Sequence, residues 1–135
     1  MTYDIDVLGF LIKAEESLAG AASEHINERY NNAANRLYYG CFQAAIAALM
    51  QAGVRPPDPR TGWGHDFVQA QFVHQLIRRR KLYPADQADV LMRLFALRRA
   101  ADYRSDPVSE TQTTRALRRA QAFVATMQRR GGEPR

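Results

Sequence analysis

Arg98 stands five residues before Tyr103 in the segment Leu94 to Tyr103, LFALRRAADY, where an apolar stripe gives way to charge. A guanidinium is a permanent cation with five donors suited to phosphate oxygens, and tyrosine adds an apolar ring with a phenol handle. Such a pair could hold a nucleotide phosphate, with Arg99 and Asp102 on the same short run. It could equally be an ordinary contact at a helix end. Arg36 precedes Tyr38 and Tyr39 in the most apolar part of the chain, so its guanidinium needs a carboxylate, carbonyls or a ligand. The expectation is a buried Arg36 bridged to an acid such as Asp102. Adjacent tyrosines on a helix project about 100° apart, so one is expected in the core and the other toward a cleft or a partner, with Tyr39 among the binding candidates.

His65 follows Gly64 at the start of a helix, where the positive end of the helix dipole lowers its pKa and keeps it neutral. It is a candidate base, and a cap or loop-packing residue on the plainer reading. The run Arg78, Arg79, Arg80, Lys81 complements the negative end of its helix, and Arg78 and Arg79 are further candidate phosphate contacts. His25, His74 and Cys41 have no metal-ligand spacing relative to His65, and no glycine-rich phosphate loop follows a strand. Neither a metal nor a cofactor is expected.

The elements that carry these residues are read as helices throughout, because apolar residues recur at spacings of three and four and no segment alternates. A first helix is predicted from Asp4 to Ser23 with Val7, Leu8, Leu11, Ile12, Leu18 and Ala22 as its buried stripe. A second, Asn31 to Ala52, is apolar on most sides and is expected at the centre of a bundle. Gly53 and the proline-rich loop VRPPDPRTGWG end it. A third helix is predicted from His65 to Leu82, a fourth beginning at Pro84 and broken before Pro107, and a fifth opened by the capping box of Ser109 and Gln112. The fold class is all-α, an antiparallel up-down four-helix bundle with an additional short helix. Residues 1–130 are expected to form one domain and 131–135 a flexible tail.

With 135 residues the chain has the size of a single domain. Its net charge of +5 is unevenly spread. Residues 1–52 hold three basic groups against six acids, and the remainder holds 16 against 8, all arginine except Lys81. That asymmetry points to an anionic partner or to a solvated basic surface. One cysteine, no leader pattern and no long apolar run suggest a cytoplasmic protein without membrane contact.

Three pieces line up with one known pattern. Residues 31–45, NNAANRLYYGCFQAA, with Arg36, Tyr38, Tyr39 and Phe42, resemble the second-helix signature of the HEPN family, helical domains named for nucleotide binding. The segment HDFVQAQF, with His65 and Phe72, is similar to the opening of the third helix in one bacterial and archaeal branch. Arg98 with Ala101, Asp102 and Tyr103 supplies the third piece. The resemblance implies RNA or nucleotide binding, a homodimer, and association with a small nucleotidyltransferase in a toxin and antitoxin pair.

Catalytic members of that family carry an arginine followed a few residues later by a histidine, and here Tyr103 takes the histidine's place. A phenol with a pKa of about 10 is a poor base at neutral pH. Binding is therefore favoured over metal-independent RNA cleavage, for which Arg98, Tyr103 and a substitute His65 are the candidate residues. A protein-interaction module whose polar cluster only fastens helices together is the remaining alternative.

Overall fold

The computed structural model describes residues 4–131. Helix α1 spans Ile5–Ile26, and the Asp4 side chain caps it by accepting from the amides of Asp6 at 2.8 Å and Val7 at 3.4 Å. Helix α2 spans Tyr30–Gln51 and ends where Gly53 turns to a φ of +84°, a conformation that suits a residue without Cβ. Helix α3 runs His65–Gln71, helix α4 Val90–Tyr103 and helix α5 Glu110–Gly131. The predicted capping box closes reciprocally before α5: Gln112 N–H donates to Ser109 Oγ at 3.1 Å, and Ser109 N–H donates to Gln112 Oε1 at 2.9 Å. Of the expected tail, Gly131 is the last residue of α5 and 132–135 lie outside the described residues.

The fold is all-α. Helices α1, α2, α4 and α5 share one core, and α3 is the additional short helix. Helix α2 is central, with its alanine-rich length buried from Ala33 to Met50 against α1, α4 and α5. Alanines let the helices approach closely. At Gly40 a Cβ would meet Leu18 Cδ2 at 2.9 Å and the Ala14 carbonyl at 3.3 Å, so α1 and α2 approach closely here.

Several expectations are corrected. The stretch after α3, Phe72–Arg79, is a π-helix rather than a continued α-helix, with Arg80 N–H reaching back to the Gln75 carbonyl at 3.0 Å. The extra residue per turn brings Phe72, Leu76 and Ile77, four and five apart, onto one buried face. Pro84 is extended and precedes a 3₁₀ turn, Ala85–Gln87, so α4 begins at Val90 instead. On α1 the buried stripe is Val7, Leu11, Ala14 and Ala21, while Leu8 and Ile12 face away from the core. Arg36 is exposed rather than buried, because it lies on the rim of α2 beside Asn32 and Asn35. No described helix is long and apolar enough to cross a membrane.

Candidate functional site

Tyr38 is the hub of an aromatic and cationic cluster at the junction of α2, α3 and α4. It is fully buried, and its ring lies 5.3 to 5.7 Å from those of Tyr39, Phe42, His65 and Phe95. Burial pushes its pKa up to about 12, so the phenol keeps its proton. Its oxygen sits 2.7 Å from His65 Nδ1 and accepts from Gln69 Nε2 at 3.4 Å. By this count the phenol proton has Nδ1 as its acceptor, and neutral His65 carries its own proton on Nε2. The pKa of His65 is lowered as its dipole position had suggested, but the causes are burial first and the Arg98 charge second.

Arg98 completes the cluster. Its guanidinium lies 5.8 Å from the Tyr38 ring centroid, 5.3 Å from Tyr39 and 5.7 Å from Phe95. Phe95 precedes it by three residues and so shares its face of α4. Nε donates to Asp102 Oδ2 at 3.2 Å, one turn along. The two terminal nitrogens donate to no described residue, so a fixed cation presents a free fork. Arg36 stands near the same tyrosine, 6.0 Å from the Tyr39 centroid, and its side chain donates to Asn35 Oδ1 at 3.2 Å. The two distances to Tyr39 bound the separation of the guanidinium carbons at about 11 Å. Two cations thus lie close to one half-exposed ring.

Not every candidate joins this group. Asp102 pairs with Arg98 and not with Arg36. Tyr103 is 70% exposed, and the guanidinium over its ring is that of Arg99, at 5.2 Å, not that of Arg98. Five positions on a helix differ by more than a turn, which points Arg98 inward and Tyr103 outward. Arg99 also lies 5.9 Å from Phe95, so it connects the cluster to the outer tyrosine. Arg78 and Arg79 are exposed at the end of the π-helix. Arg79 donates to Gln75, and Arg78 lines a separate cavity of about 440 Å³ with Asp66, Gln69, His74 and Met92.

Tyr38, Phe42, Gln69 and Phe95 are the members that residue chemistry alone did not place in the site. The signal for Phe95 was its i, i+3 spacing to Arg98. For Tyr38 it was the need of a buried phenol for a partner, which an imidazole opening the next helix supplies. Cys41 is fully buried and its thiol pKa is pushed up by burial, so it stays an uncharged core residue.

Among curated proteins, none matches the chain. The HEPN domain model matches residues 8–130, nearly the whole length and every helix of the cluster. The chain therefore belongs to the HEPN domain family.

Proposed function

We propose that this chain is a nucleotide- or RNA-binding HEPN domain whose phosphate contact is Arg98. The observation that carries this reading is the fixed, half-free guanidinium: stacked on three rings, braced through Nε by Asp102, and unbonded at both terminal nitrogens. A cation that served only to fasten helices would spend those donors on carbonyls or carboxylates. Arg36 and Arg99 supply further positive charge, and the half-exposed Tyr39 offers a face for a base. Family membership supports the same reading. We place with it a homodimer and a small nucleotidyltransferase partner, as the family resemblance implies.

A second reading, metal-independent cleavage, is favoured by one observation, a neutral histidine beside Arg98. Its Nδ1 is already occupied by Tyr38, so neutral His65 has no free lone pair with which to take a proton and offers a hydrogen bond from Nε2 instead. Fluorescence anisotropy with a labelled single-stranded RNA separates the two. Arg98→Ala removes a charge-assisted contact, so affinity should fall about 10- to 100-fold with a shallower salt dependence. Unchanged affinity and salt slope would refute Arg98 as the contact. Cleavage of that RNA in chelator, lost in His65→Ala, would establish the enzyme reading instead.

A further inference from the structure

Helix α1 has a second apolar stripe that the bundle does not use. Of the six exposed large hydrophobics among the described residues, four lie on this helix: Ile5 at 82%, Leu8 at 37%, Ile12 at 64% and Ile26 at 79% exposure. Ile5, Leu8 and Ile12 follow one another at steps of three and four, so they share one face, and Glu15 continues that spacing with Glu16 beside it. An apolar ridge ending in two carboxylates thus faces solvent.

A complementary feature lies between α4 and α5. These helices touch sparsely compared with the other neighbouring long helices, and two adjoining cavities open along their seam. One of about 350 Å³ is lined on its apolar side by Leu94, Leu97 and Ala116, and one of about 710 Å³ by Val90 and the exposed Ala122. Arg93 and Arg119 line both, and Arg115 lines the first. Arg93 is held by Asp89 at 2.7 Å, whereas Arg115 and Arg119 make no hydrogen bond or ion pair with any described residue. In the larger cavity the Gln87 side-chain oxygen is buried without a partner.

We propose that α1 of one copy docks into the α4 and α5 groove of a second copy. Ile5, Leu8 and Ile12 match the apolar floor, and Glu15 and Glu16 match the unpaired Arg115 and Arg119. The charge asymmetry of the chain, acidic before residue 53 and basic after it, is what such a contact between unlike surfaces requires. Pairing of two α1 helices with each other is disfavoured, since Glu15 and Glu16 of both copies would crowd one seam. A nucleic acid is a poorer occupant of the groove, because its floor is apolar and Asp86 and Asp89 close one end. The two surfaces differ, so the contact is head to tail and is separate from the two-fold homodimer placed with the proposed function, whose copies it links into larger species. It leaves Arg98 free, because Arg98 contacts the rings of α2 while Arg93 and Leu97 face α5.

Sedimentation velocity on the full chain, over a concentration series, tests this through complementation. Ile12→Glu spoils the ridge, and the double variant Arg115→Glu, Arg119→Glu spoils the groove. All three positions are solvent-exposed, and circular dichroism checks that each variant keeps its helices. Each variant alone should lose at least tenfold in the association of copies into species larger than the homodimer. Mixed one to one, they should regain a complex heavier than either alone, since one supplies an intact groove and the other an intact ridge. Three results would each overturn the proposal: association unchanged in both variants, loss in Ile12→Glu alone, or a mixture that stays as light as its components. Loss of RNA binding in the double variant with association unchanged would make the groove a nucleic-acid surface and overturn it equally.

Discussion

Tyr38→Phe removes one oxygen from the centre of the site and leaves the ring in place. The lost contacts are the 2.7 Å bond with His65 Nδ1 and the long 3.4 Å bond from Gln69. The aromatic contacts to Tyr39, Phe42 and Phe95 persist, so no cavity larger than a hydroxyl is created. Leaving a buried partner unsatisfied costs about 1–3 kcal/mol, and His65 is only partly buried, so water can relieve some of this: about 1–2 kcal/mol remains. For a domain of this size that is a melting temperature lower by about 4–8 °C. The pKa of His65 is held down by burial first and by the Arg98 charge second, and the substitution removes neither. The variant's His65 should therefore still titrate below the ordinary value of about 6.5. Urea or thermal denaturation reads the first effect and proton NMR of the imidazole the second. If the melting temperature does not move, Tyr38 is a packing residue and the hydrogen-bonded account of this cluster is wrong.

Three further outcomes follow from the same geometry. Because the folded pKa of His65 is lowered, the unfolded chain takes up its proton first as the pH falls; stability should decline as pH drops below about 6.5, and His65→Gln should remove that part of the slope in a pH series of melts. Gly20 and Gly40 should respond oppositely to alanine: at Gly20 the nearest atom is 3.8 Å away and helix propensity should add about 0.5–1 kcal/mol, whereas at Gly40 overpacking against Leu18 and the Ala14 carbonyl should cost about 1–3 kcal/mol and outweigh that gain in a denaturation series. Arg36→Ala should leave the melting temperature nearly unchanged, within about 0.5 kcal/mol, because its guanidinium is exposed and has no acid partner among the described residues; a large loss would return it to the core.

What was legible in the sequence depended on whether a rule had one solution. The five helices, the Ser109 cap and the stop at Gly53 are local, and local spacing and cap chemistry located them. The buried face of α1 was ambiguous because that helix carries two apolar stripes, and only the neighbours decide which is covered. Arg36 was misread for the related reason that an alanine-rich helix gives little indication of which side meets solvent. The link between Arg98 and Tyr103 was taken from their proximity along the chain, whereas helix geometry sends Tyr103 to Arg99. The partners that hold His65 come from α2 and α4, more than 20 residues away on either side, and no spacing rule reaches that far.

The π-helix between Phe72 and Arg79 has a consequence for how this chain can vary in length. A wide turn of this type is equivalent to one residue inserted into an α-helix, with the surplus absorbed as a bulge instead of a loop. Deleting one residue there, at an exposed position such as His74, offers the backbone a return to ordinary i to i+4 bonding. The deletion itself brings Leu76 and Ile77 from four and five residues after Phe72 to three and four, the steps that share one face of an α-helix, so the core face survives and the basic run keeps its outlook. A shortened relative would thus carry the same apolar residues with a one-residue gap between them in an alignment and no compensating change.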